Sequence, residues 1–117
     1  MAFKKQSTSG VIGQKTYFWR SADWGNGVSL WTYVTADADT TIEVAAYFND
    51  AEVIANLKVG DLIRVIRVGA IDDTRTIQED MAATLVDESW HIVLNVDGST
   101  SVNISQDILA ATVTYTS

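Results

Sequence analysis

Hydrophobic and polar positions change their period several times along this chain. In VSLWTYVT, residues 28–35, the period is two. Val28, Leu30, Thr32 and Val34 face one way; Ser29, Trp31, Tyr33 and Thr35 face the other. Both sets carry bulk, which predicts a strand covered on each side. DLIRVIRV, residues 61–68, is apolar on both faces except at Arg64 and Arg67, and predicts a strand central to a sheet. WHIVLNVDGSTSVNIS predicts a hairpin. Trp90, Ile92, Leu94 and Val96 share an apolar face, Asp97-Gly98 turns, and Val102 and Ile104 return. By the same alternation His91 falls on the opposite face, toward solvent or an interface. TYFW at 16–19 is β-prone, Asn26-Gly27 is a turn signal, and a strand is expected near 81–86 after a turn around Asp72-Asp73. The stretch from Ile108 to Tyr115 is expected to close the fold.

One segment breaks the strand period. In ADADTTIEVAAYFN, Thr40 and Glu43 have capping-box spacing, with Asp37 and Asp39 placed where a helix dipole favours acids. Ile42, Ala45 and Ala46 share a face, Val44 lies four residues before Phe48, and Asn49 suits a helix end. This predicts a helix over about 40–49, with DAEVIANL able to add a turn. The fold class is therefore mainly β: a small antiparallel barrel or sandwich, one short inserted helix, and an extended N-terminal arm. Residues 1–15 form the arm and 16–117 a single domain, a size that buries a core unaided.

Charge divides the chain at the same place. Residues 1–20 carry Lys4, Lys5, Lys15 and Arg20 and no acid; the rest sets four bases against 15 acids, a balance of −11. An acidic body repels nucleic acid, so no nucleic-acid partner is expected, and the arm suits an acidic surface on this chain or a neighbour. No apolar run is long enough to cross a bilayer, and none follows Lys4 and Lys5 as a signal peptide would require. Neither a membrane partner nor export by a leader is expected. The absence of Cys excludes disulfides, thiolate metal sites and Cys nucleophiles.

Candidate chemistry is sparse. His91 is the single histidine, with Asp87 and Glu88 nearby in sequence, and no nucleophile can be placed beside it. The acid pairs Asp37/Asp39, Asp72/Asp73 and Glu79/Asp80 lack the spacing of a calcium loop and read as helix-start acids, a turn and solvated faces. Gly25-Asn26-Gly27 has no helix after it to bind phosphate. No catalytic, cofactor or metal residue is expected. The aromatic residues are more informative: Trp31 and Trp90 lie in strands and suit the core, whereas Tyr17, Phe18, Trp19 and Trp24 flank the arm and a loop. With Lys4, Lys5, Lys15 and Arg20 they form the expected partner interface.

The stretch WTYVTADADTTIEVAAYFNDAEVIANLKVGDLIRVI resembles a segment of small structural proteins of tailed bacteriophages, over about 35 of the 117 residues. It carries an aromatic strand, T-x-D, a short helix ending Y-F-N, and L-x-V-G-D-x-I leading a strand. Related segments occur in capsid decoration (cement), head-fibre and tail-fibre-associated proteins. The resemblance implies a virion protein without enzymatic activity, made in the host cytoplasm and assembled as a homotrimer. Its partners would be the major capsid protein or other virion proteins. A tail-fibre or receptor-binding module, stacking tryptophans on host glycans, is the alternative. A small hydrolase or lyase using His91 ranks third.

Overall fold

The computed structural model describes residue 3 and residues 16–44, 47–72, 74–97, 101–108 and 113–114. Its centre is β2 (Val28–Thr35) beside β3 (Leu62–Val68). β1 (Phe18–Gly25) pairs antiparallel with β2 through a tight turn in which Gly25, Asn26 and Gly27 all have positive φ. Asn and Gly tolerate that backbone, and a two-residue turn of this hand matches the twist of the flanking strands. The long β4 (Leu85–Asp97) runs antiparallel to β3 along one edge. Its other edge takes β5 (Ser101–Ile104) and the short β6 (Val113–Thr114). The path is β1-β2-β3-β4-β5, with β6 also on β4.

The fold is mainly β, as the alternation predicts. The sheet is open, so of the two forms expected the sandwich fits. It is also mixed, because β2 and β3 are parallel. A parallel pair requires a crossover, and residues 36–61 supply it. The crossover contains α1 (Asp39–Ile42) and α2 (Ala51–Asn56). A third helix, α3 (Ile77–Thr84), precedes β4.

These helices redraw the expected one over 40–49. Ala38, not Thr40, opens α1: its carbonyl accepts from Thr41 N at 2.9 Å and Ile42 N at 3.2 Å. The helix stops after one turn, and three β-branched residues in succession (Thr40, Thr41, Ile42) favour so short a run. Val44 is 61% exposed and does not share a face with the fully buried Phe48. Ala45 and Ala46 lie outside the described residues. The better-capped helix is α2, where the Asp50 carboxylate accepts from Glu52 N and Val53 N. A capping box does exist, at Thr76 and Glu79, where it starts α3. Residues 81–84 are therefore helical, and the strand expected near 81–86 begins at Leu85.

The sheet has two different faces. Trp31, Tyr33, Ile63, Val65 and Val93 lie beneath the crossover with Ile42, Tyr47, Phe48, Val53, Ile54 and Leu57. Tyr17 and Phe18 complete this main core, and Phe18 stacks on Trp31 at 5.2 Å between ring centroids. On the other face Val34, Ile66 and Val68 form a smaller core with Trp19, Ile71, Ile77, Met81 and Leu85. Of the arm, Phe3 alone is described, and its ring packs against the main core. Lys4, Lys5, Lys15, Gly98 and Tyr115 lie outside the described residues.

Candidate functional site

Three buried polar groups lie under the crossover, and the first two tie it to the sheet. Asp61 is 1% exposed, at the turn where Gly60 takes a positive φ. Its Oδ1 accepts from Ser29 N at 2.9 Å; its Oδ2 accepts from Trp31 Nε1 at 2.9 Å and Lys58 N at 3.1 Å. One carboxylate thus joins the end of the crossover to β2, and three donors compensate its burial. At the start of the crossover, Tyr47 donates to Asp37 Oδ2 at 2.6 Å and accepts from Tyr33 at 2.7 Å. Burial first, then the hydrogen bond to Asp37, pushes the Tyr47 hydroxyl well above the ordinary tyrosine range, so it remains a donor. These are residues of the Y-F-N and V-G-D motifs, and their work is structural.

His91 is the third group. It is completely buried, not turned to solvent or an interface. Nδ1 lies 2.8 Å from the Ser105 carbonyl, which can only accept, so Nδ1 carries the proton. Nε2 then accepts from Ser89 Oγ, also at 2.8 Å. Glu43 Oε2 stands 3.9 Å from Nδ1. The arrangement has the atom types of a serine nucleophile and its base, but Ser89 is only 3% exposed. A nucleophile must reach a substrate atom, and this hydroxyl faces the interior. Asp87 and Glu88 are not brought to His91. Arg67 holds Asp87 through two contacts, at 3.0 and 2.5 Å, and Arg64 holds Glu88 at 2.8 Å.

Of the acid pairs, Asp73 and the Asp39 side chain lie outside the described residues; the other four acids are engaged in the fold. Asp37 binds Tyr47, Asp72 accepts from Thr74 N, and Glu79 belongs to the α3 capping box. Asp80, fully buried, accepts from Asp72 N and pairs with Arg75 at 3.0 Å. Among the described residues no three candidate ligands lie close enough to hold a metal.

The outward face of the sheet offers a different kind of site. Strand register aligns Ala22, Leu30, Leu62 and Ile92 in a row across four strands. All four are half-exposed and belong to neither core. The next row is Trp19, Thr32, Arg64 and Trp90. Ser21 and Thr32 hydroxyls hydrogen-bond beside it, and the Arg64 guanidinium lies 6.0 Å from the Trp90 ring. The third row, Val34 and Ile66, is already inside the α3 core. Among the described residues, half of this face is therefore covered and half is open.

The aromatic residues expected at an interface separate accordingly. Tyr17 and Phe18 are 1% and 2% exposed, within this chain's own core, and are withdrawn from any contact made by the folded monomer. Trp19 borders the open face. Trp24, 51% exposed, stands by the β1–β2 turn, and Arg20 lies over the Trp31 ring at 5.0 Å. Leu30, Leu62 and Ile92 are additions that sequence reasoning misses. The alternation of VSLWTYVT and DLIRVIRV contains the signal, but those strands read as covered on both faces. Trp90, Ile92 and Leu94 were the expected inward set, and they turn outward. Leu94 is 56% exposed at an irregularity between Val93 and Asn95, after which Val96 returns toward the main core.

Comparison of the chain with protein-family models, with curated proteins and with solved structures gives no match.

Proposed function

We propose that this chain is a structural protein of a tailed-phage virion, a capsid decoration protein that acts by docking rather than by chemistry. The observation that carries the docking is the open half of the sheet. Ala22, Leu30, Leu62 and Ile92 form a continuous apolar row, bordered by the row Trp19, Thr32, Arg64 and Trp90. A contiguous apolar patch with aromatic edges and a polar rim is the composition of a protein-binding surface. The phage assignment rests on the resemblance of the segment beginning at Trp31. The major capsid protein is the partner, and the chain self-associates as a trimer on the particle.

Co-sedimentation with virions tests this reading. The wild-type chain is expected to pellet with the particles. Leu62→Lys places a charge in the apolar row and is expected to stay in the supernatant with its fold intact. Equal pelleting of the two would contradict docking through this face.

The exposed Trp24 ring favours a second reading, in which the chain is a receptor-binding module that stacks on host glycans. A glycan array separates the two. Selective binding abolished by Trp24→Ala would establish the second reading.

A further inference from the structure

The turn between β1 and β2 places the chain's single Asn-Gly pair in the open. Asn26 and Gly27 are both exposed, with φ of 56° and 81°. Among the described residues, a methyl group added at Gly27 would meet no atom within 4 Å. β1 ends the described strand path, and its register with β2 shifts between Asp23 and Gly25, next to the turn. Strand pairing is therefore weak where the pair sits, and an exposed hairpin end of this kind opens at low cost. The other four asparagines are followed by Asp50, Leu57, Val96 and Ile104. Asn56 donates its side-chain amide to the Glu52 carbonyl within α2, at 2.8 Å. Asn95 and Asn103 are partners in the β4–β5 ladder.

We propose that Asn26 is a site of spontaneous modification, converting through a cyclic imide to aspartate and isoaspartate, and that this remodels the hairpin end carrying Trp24. When the turn opens, the Gly27 backbone nitrogen attacks the Asn26 side-chain carbonyl carbon, Cγ. An N–Cγ bond forms, the Cγ–Nδ2 bond breaks, and ammonia leaves with the proton from Gly27 N. Glycine obstructs this attack least, because it has no Cβ. Water then opens the imide. Cleavage at Cγ gives aspartate; cleavage at the Asn26 backbone carbonyl gives isoaspartate, whose main chain runs through Cβ and Cγ. The aspartate product leaves an Asp-Gly pair, which suits the same two-residue turn. The isoaspartate product inserts a methylene into that turn, and the Gly25–Val28 pairing is lost. Either product adds a negative charge beside Asp23 and the exposed Trp24. None of this chemistry depends on the virion reading.

Ageing of the purified wild-type chain at neutral and mildly alkaline pH, followed by peptide mapping with electron-transfer fragmentation, tests the site directly. Conversion is expected at residue 26 ahead of the other asparagines, faster at the higher pH, with isoaspartate among the products. The folded chain is expected to convert within about tenfold of the rate of the same chain unfolded in guanidinium chloride, because only a local opening is needed. A slower folded rate, or no preference for residue 26, would overturn the proposal. Asn26→Gln lengthens the side chain beyond the five-membered ring and is expected to abolish the early mass gain; its persistence in that variant would equally overturn it. NMR of the isolated isoaspartate form reads the remodelling. The Trp24 and Val28 amide signals are expected to move while those of Ile63 and Val65 stay in place, and unmoved Trp24 and Val28 signals would remove that half of the proposal.

Discussion

At the scale of single residues, Asp61 best explains why the VGD turn has its sequence. A carboxylate is needed because three N–H donors converge on two oxygens, with Oδ2 taking two of them. Asparagine would keep one acceptor and turn an NH2 group toward donors. Asp61→Asn is therefore expected to destabilise the fold nearly as much as Asp61→Ala, each by about 3 kcal/mol. Urea denaturation measures this. A loss confined to the alanine variant would show that shape, not acceptor count, matters at this site. Ser89→Ala gives a second expectation: it leaves Nε2 of the buried His91 without its donor and costs about 1–3 kcal/mol by the same measurement. The period of β4 was legible in the sequence, but its inward face was not. His91 read as outward, while Trp90 and Ile92 shared the expected apolar face. Mutual hydrogen bonding makes Ser89 and His91 fit to bury, and that depends on Ser105, which lies across the strand pairing.

At the scale of elements, helices follow their caps more closely than their apolar spacing. Thr40 and Glu43 have capping-box spacing, but Ala38 opens α1 two residues earlier, so Thr40 lies inside the helix rather than at its cap. Thr76 and Glu79 have the same spacing and form both hydrogen bonds. The same four-residue signal was thus available at both places, and tertiary packing chose between them. Thr76→Ala is expected to cost about 1 kcal/mol, read as a lower urea midpoint. The bond from Thr76 N lowers the Glu79 carboxyl below its ordinary range, with the Thr76 side chain second. A depressed carboxylate stabilises the folded state above its unfolded value, and that contribution fades as the pH falls through the folded value. The stability gap between wild type and Glu79→Gln should therefore be present at neutral pH and shrink under acid conditions. A gap that widened on acidification would contradict this assignment. The parallel pairing of β2 with β3 was not visible locally, since no pattern within a strand records the direction of its neighbour.

At the scale of the molecule, the sheet is covered unequally. Among the described residues, the crossover seals one face, α3 seals half of the other, and the row Ala22, Leu30, Leu62 and Ile92 is left open. That asymmetry separates residues that maintain the fold from residues available to a partner. Leu62→Lys should change stability by no more than about 1 kcal/mol, since the side chain is already half-exposed. Ile63→Lys, one residue on and fully buried, should unfold the protein. A comparison of their thermal melts checks the division. The motif that carries the phage resemblance was easy to see because turns and caps have strong local signatures. The open face was not, because exposure depends on which elements fail to cover a strand.

The central claim is that the chain works as a component of a particle. Quantitative mass spectrometry of purified virions from a phage encoding this chain tests it most directly. The chain is expected in amounts comparable to the major capsid protein, staying with the heads when tails are removed. Recovery only in the soluble fraction of the lysate would contradict it.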